Sequence, residues 1–178
     1  MGIVTEGTQG DIRHVDSLQP PFSLINRSAG ERSIEWCTNH DVGVICYSPM
    51  ESGLLTESFT AERMSSLSAG DWRRGSPEFQ PPRLGSNLRL RNLLRPIAGR
   101  HGTTTSAIAI AWVLAWPGVS GAIVGARTPQ QVEGWIGAAS RVLTAQDLDE
   151  IATAIQQTGD GVGPAHPATA APHTGSAA

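Results

Sequence analysis

The sequence contains no lysine; all thirteen of its Lys+Arg residues are arginines. It contains one tyrosine, Tyr47. A free phenol has a pKa of about 10, and without a neighbouring cation it is a poor proton donor near neutrality. No lysine is there to tune it, and arginine offers charge in a different geometry. Cysteine is scarce too. Cys37 and Cys46 fall in an apolar helix pattern and an apolar strand pattern, which is the setting of buried free thiols. The five histidines show no metal-ligand spacing, so no metal site is expected.

No run approaches the ~20 apolar residues a membrane span needs. The N-terminus MGIVTEGTQG lacks the basic start and long apolar stretch of a signal peptide. These absences predict a cytoplasmic, reducing setting and no membrane partner. A net charge of −3 and a pI near 5.9 leave no electrostatic footprint for nucleic acid. One local group of arginines, Arg89, Arg91, Arg95 and Arg100, reads as a solvated helix face.

What is present points to one domain, or part of a larger one: 178 residues with an apolar fraction of 39%. Residues 1–10 are an unmatched N-terminal segment. Residues 157–178 are Gly, Ala, Pro, Thr and Ser with almost no large apolar residue, which predicts a disordered tail. The folded segment expected is about 11–156.

Within it strands and helices alternate. His14–Gln19 is a short strand candidate closed by Pro20-Pro21, and Glu31–His40 has helical spacing. Val42–Cys46 is a continuous apolar run, as expected of a strand covered on both faces. A long irregular stretch follows, about Met50 to Ser86, of a length usually functional or disordered. Asn87–His101 is predicted as one amphipathic helix, ended by Gly102. Thr103–Thr105 can cap the next helix, Ser106–Trp116, apolar nearly all round and so buried. Val119–Val124 is the third strand, Thr128-Pro129 starts a helix to Ala139, and Thr144 with Asp147 resembles a capping box for Ala145–Ile155.

This alternation indicates parallel strands with right-handed crossovers. Sites in such folds lie at the carboxyl ends of the strands. Those ends are Gln19, Tyr47-Ser48 and Gly125–Arg127. An aromatic at a strand end offers a flat face to a flat heterocycle, though from the residues alone an ordinary half-buried core tyrosine is the preferred reading of Tyr47. Arg127 is either a phosphate-binding fork or a surface arginine.

Three stretches, VDSLQPPFSLINR, VGVICYSPMESGLL and HGTTTSAIAIAWVLAWPGVSGAIVGARTPQQVEGWIGAA, together resemble the C-terminal part of the aldo/keto reductases, bacterial NADP-dependent branch. DWRRGSPEFQPP in the long loop fits the same branch. The resemblance implies an α/β fold: a partial (β/α)8 TIM barrel, strands six to eight with their helices. It implies a cofactor, NADP(H), and a reaction, hydride transfer between nicotinamide and a carbonyl or alcohol. By the same resemblance Tyr47 stacks on the nicotinamide and Gln19 hydrogen-bonds its carboxamide. Ser48, Pro49, Ser52, Gly53 and Leu54 form the loop over the pyrophosphate, with Gly53 admitting backbone N–H groups. Gly125, Ala126, Arg127 and Gln131 hold the adenosine 2′-phosphate and adenine end, aided by the N-terminus of the helix from Pro129.

Gly134 and Trp135 stand where the family often has Glu-Asn, and Trp135 is expected to pack rather than stack. The long loop carries no evident second cation. The family's catalytic Asp, Tyr, Lys and His lie before the sixth strand, so no catalytic residue is assigned. A carbonyl substrate is expected only if the missing strands are supplied, and the open strand edges predict self-association or a complementing chain. Val15, Leu18, Val44, Cys46, Ala122 and Val124 are expected to lose part of their cover. The alternatives are a non-catalytic dinucleotide-binding or interaction module, or an inactive truncated remnant.

Overall fold

A three-stranded parallel sheet, ordered β1-β2-β3, sets the frame of this computed structural model, which describes residues 15–159 and 161–167. The expectations for residues 1–10 and for the end of the tail lie outside the described residues. Strand β1 is Ser17–Leu18, β2 is Gly43–Tyr47 and β3 is Val119–Ile123. Ser17 pairs with Gly43, and Ile45, Cys46 and Tyr47 pair with Gly121, Ala122 and Ile123. The register slips once, between Val44 and Ile45. The β-branched run at Val42–Ile45 suits the central strand, the one flanked on both sides.

Helices follow the strands as parallel crossovers require. They are α1 (Ser33–Asn39), α2 (Ala61–Ser65), α3 (Arg83–Leu93), α4 (Arg95–Arg100), α5 (Thr105–Leu114), α6 (Pro129–Glu133) and α7 (Ala145–Thr158). All of α5 from Thr105 to Val113 is buried. Thr104 caps it by accepting the Ala107 N–H at 3.1 Å. Behind the sheet, Phe22 stacks on Trp112 and meets Trp116 edge-on, with centroids 5.4 and 5.0 Å apart. Among the described residues no helix is long and apolar enough to cross a membrane.

Several elements depart from the sequence reading. The helix expected over Asn87–His101 starts earlier, at Arg83, and breaks at Leu94 into α3 and α4. Pro96 has no N–H for the fourth carbonyl behind it, so the first helix ends and a new one opens with proline in its first turn. The helix expected to reach Ala139 stops at Glu133, before Gly134, and a separate 3-10 turn spans Ile136–Ser140. Glycine has low helix propensity, and β-branched and aromatic residues follow. Arg91 is not on a solvated face. It is buried, and its guanidinium donates to the carbonyls of Thr56 (3.0 Å) and Phe59.

The stretch 50–86 is largely ordered. It holds α2, 3-10 turns at Trp72–Gly75 and Pro77–Phe79, and a small core in which Phe59 meets Phe79 edge-on at 5.4 Å. The tail boundary also falls later than Gln157. Helix α7 continues through Thr158, and Gly161–Gly163 lies against the Asn26-Arg27 turn, where the Arg27 N–H donates to Val162 O at 2.9 Å. Glycine allows this approach, because a Cβ at 161 or 163 would collide with the backbone of Ile25 or Arg27.

The side chains that lose cover are the other set along the central strand. Val44 and Cys46 are fully buried against the helices. The opposite parity faces the uncovered side, where Tyr47 and its partner Ile123 stay 37% and 46% exposed. Strand parity is the reason: the apolar run reads the same on both faces, and one face has helices. Val15 is exposed, as expected, while Leu18, Ala122 and Val124 are half-buried.

Candidate functional site

At the carboxyl ends of β2 and β3 the chain leaves the sheet into two loops, and a cavity of about 710 Å³ opens between them. That volume is in the usual range for small-molecule and cofactor sites. Its floor is Tyr47, Ser48 and Pro49 after β2, with Ile123 and Val124 of the β3 end. One wall is the 48–53 turn with Ser52 and Gly53; the other is Gly125, Ala126, Arg127 and Gln131. Ser106, Thr104, Gly134 and Trp135 also border it.

Nine of the eleven residues expected at a coenzyme site from the sequence border this cavity: Tyr47, Ser48, Pro49, Ser52, Gly53, Gly125, Ala126, Arg127 and Gln131. Two do not. Gln19 is exposed at the end of β1, outside the cavity lining. The Leu54 side chain is fully buried in the core, and its N–H is taken by Glu51 O at 3.1 Å. A large aliphatic side chain packed into the core cannot also be presented to a polar ligand.

The donors differ from those expected. The Gly53 N–H bonds Met50 O at 3.1 Å and the Glu51 N–H bonds Ser48 O at 2.9 Å. The polar residues of this turn that border the cavity are Ser48 and Ser52. Gly53, at φ 103°, serves the turn by its backbone conformation. On the other wall the Gln131 amide oxygen accepts the Arg127 N–H at 2.7 Å and braces the loop. The Gln131 N–H is itself held by Thr128, whose carbonyl is 3.2 Å away. With α6 only five residues long, little of a helix dipole remains there. Trp135 is half-buried against Ala107, Ile110 and Ala138 while bordering the cavity, and its buried indole N–H has no hydrogen-bond partner among the described residues.

Two cations were not legible in the sequence. Arg63, on α2, and Arg73 both border the cavity. Arg73 is gripped by Asp71 through Nε–Oδ1 (2.9 Å) and Nη2–Oδ2 (2.6 Å), and lies 5.9 Å from the Phe59 ring centre. The Arg73 hydrogen bond, outweighing desolvation, holds the Asp71 carboxyl down at about 2; the Arg127 charge acts in the same direction. The available signal was the Asp-Trp-Arg spacing itself, which places an acid two residues before an arginine at the start of a turn. A carboxylate, Glu57, also borders the cavity, where its Oε1 accepts the Thr105 N–H at 2.6 Å and helps cap α5.

Three arginines (Arg63, Arg73 and Arg127), two serines and an aromatic residue at a strand end border one cavity, a residue set suited to a phosphorylated, ring-bearing ligand. The aldo/keto reductase family model matches residues 8–156. The protein "Aldo-keto reductase YhdN" of Bacillus subtilis is 31% identical over 150 residues, covering 83% of this chain and 45% of that protein. The "NADH-specific methylglyoxal reductase" of Escherichia coli is 25% identical over 146 residues, with coverages of 80% and 44%. The structure of the glycerol dehydrogenase AKR11B4 from Gluconobacter oxydans superposes with a TM-score of 0.76 at 25% identity, over 90% of this chain and 48% of that one. This chain therefore spans about half the length of these relatives. Its parallel sheet and helices share the architecture of the family's barrel, and a family match running over most of the sequence makes the chain a member of the aldo/keto reductase family, an oxidoreductase family that uses nicotinamide cofactors.

Proposed function

We propose that this chain is the coenzyme-binding C-terminal part of an NADP(H)-dependent aldo/keto reductase, corresponding to barrel strands six to eight. The observation that carries the reading is the cavity at the ends of β2 and β3, bordered by Tyr47, Ser48, Ser52 and Arg127. Its volume and donor set fit a dinucleotide. Tyr47, more than a third exposed, has a ring face available for the nicotinamide. Ser48 and Ser52 would meet the pyrophosphate, and Arg127 the 2′-phosphate.

Bound there, the coenzyme supplies a hydride to a carbonyl carbon. This chain's residues orient the ring and anchor the phosphates. They do not supply the proton that the carbonyl oxygen then needs: Tyr47 is the only phenol, this reading assigns it to stacking on the nicotinamide, and the sequence has no lysine. Turnover on a carbonyl substrate thus requires strands from a complementing segment or chain. The E. coli relative is named for NADH, and what favours NADP(H) here is Arg127 at the mouth of the β3 loop. The absence of lysine equally supports a second reading, a module that binds dinucleotide without catalysing.

Titration of NADPH into the purified chain, followed by its fluorescence, tests the proposal. Saturable binding is expected. Arg127→Gln should weaken NADPH by about 10- to 100-fold, the worth of one charge-assisted hydrogen bond, with a smaller change for NADH. No binding at millimolar NADPH would overturn it, and equal losses for both coenzymes would remove the assignment of Arg127 to the 2′-phosphate.

A further inference from the structure

Between Ser48 and Gly53 the backbone is left-handed at four residues: Ser48 (φ 58°), Glu51 (45°), Ser52 (51°) and Gly53 (103°). Only the last is glycine. Side-chain-bearing residues in this region persist where the surroundings over-determine them, and such sites cluster at ligand-binding turns. The surroundings here converge on one side chain, Glu51.

Glu51 is absent from the lining of the coenzyme cavity and borders a second one, of about 350 Å³, with Ile25, Asn26, Glu78, Arg83 and Val162. Its Oε2 accepts the Ser23 hydroxyl at 2.7 Å. Ser23 is fully buried, and its oxygen accepts the N–H groups of Ile25 (3.2 Å) and Asn26 (3.0 Å). A hydroxyl has one proton and two lone pairs, so Ser23 is saturated and its proton is committed to Glu51. Behind it, the Gly161–Gly163 segment covers the Asn26-Arg27 turn, with the Arg27 Nε donating to Gly163 O at 3.2 Å. The attachment is built in layers, from the C-terminal segment through the Ser23 turn to the loop beside the coenzyme. It holds a carboxylate at a cost: burial raises the Glu51 pKa and the Glu78 charge adds to this, while the Ser23 hydrogen bond opposes it.

We propose that Glu51 is a positioning residue for pyrophosphate binding: tied to Ser23, it fixes the left-handed turn that presents the Ser48 and Ser52 hydroxyls to the cavity. This rests on the reading of that cavity as a dinucleotide site. Glu51 touches no ligand; it acts through the turn. Only the pyrophosphate end should feel its loss, because Arg127 and Gln131 stand on the other wall and are braced by their own hydrogen bond.

The test uses the purified chain and three ligands: NADPH, ADP-ribose (pyrophosphate without a 2′-phosphate) and adenosine 2′-monophosphate (the reverse). Glu51→Ala should weaken NADPH and ADP-ribose about tenfold, equivalent to ~1.4 kcal/mol, and leave adenosine 2′-monophosphate within about twofold. Glu51→Gln keeps an amide oxygen to accept the Ser23 hydroxyl and should restore affinity to within about threefold. Ser23→Ala should repeat the loss, and it carries the test if circular dichroism finds Glu51→Ala unfolded. Unchanged NADPH affinity in both Glu51→Ala and Ser23→Ala overturns the proposal and leaves the coenzyme site standing. Parallel loss of all three ligands also overturns it, since that is general damage. A wild-type chain that binds none of them overturns the coenzyme reading, and this inference with it.

Discussion

Cys46 lies in the central strand with no exposed surface, and burial pushes its thiol up to about 12. Cys37, also buried, is raised by the same cause. The thiolate is the nucleophile in disulfide exchange, so both cysteines should be silent to a chromogenic disulfide reagent at pH 8 in the native protein and both should react in strong denaturant. A native-state reaction of either would show that the sheet opens on its helix side. Their state was legible in the sequence because an apolar run carries its own periodicity. Tyr47, Ser48 and Arg127 were legible for a related reason: strand ends in a parallel sheet point to one edge. Arg63, Arg73 and Glu51 were not. Their placement depends on how residues 50–86 fold around Phe59 and Phe79, and that stretch has no helix or strand period to read. Gln19 and Leu54 are placed away from the cavity at the same scale, one by lying beyond its lining and the other by packing inward.

Helix α7 shows how much a single terminus can hold. Thr144 accepts the Asp147 N–H at 3.1 Å, and Asp147 accepts the Thr144 N–H at 2.9 Å, which completes the capping box read from the sequence. Asp147 also accepts from Arg100 (2.7 Å) and contacts the His101 ring nitrogen (2.9 Å), tying α7 to α4. Desolvation works to raise this buried carboxyl, but the hydrogen bonds from Arg100, His101 and Thr144 outweigh it and hold it far below its ordinary value. A carboxyl depressed in the folded state contributes stability that is full above its unfolded pKa of about 3.9. That contribution is lost as pH falls through the folded value. The denaturant midpoint should therefore drop steadily from pH 5 towards pH 2, and Asp147→Asn should flatten the drop. Thr144→Ala should cost about 1 kcal/mol at neutral pH, as loss of a cap does. A midpoint independent of pH in this window would remove the network's role. The capping box was legible because it is local. Its partners on α4 were not, because they are more than forty residues away and meet α7 only through the packing of the helices.

Among the described residues the parallel sheet carries helices on one face. Parallel sheets are ordinarily covered on both faces and closed or shielded at their edges. Here β1 and β3 are edge strands among the described residues, and the free face carries Tyr47 and Ile123. The relatives are about twice as long, so in them a further stretch of chain comparable in size to this one belongs to the same protein. Two ways of covering the face follow: strands from a complementing chain, or a second copy. Either removes the same apolar surface from water, at roughly 25 cal/mol per Å², which is substantial against a net stability of ~5–15 kcal/mol. Sedimentation of the purified chain should show concentration-dependent association, and Ile123→Lys, at a position nearly half exposed in the single chain, should suppress it without lowering helix content. Addition of a polypeptide carrying the preceding barrel strands should convert the self-associated form into a defined one-to-one complex and tighten NADPH binding, because the nicotinamide end would then be walled on every side. If the chain instead sediments as a monomer at all concentrations and melts cooperatively, three strands and one layer of helices suffice, and the free face needs no cover.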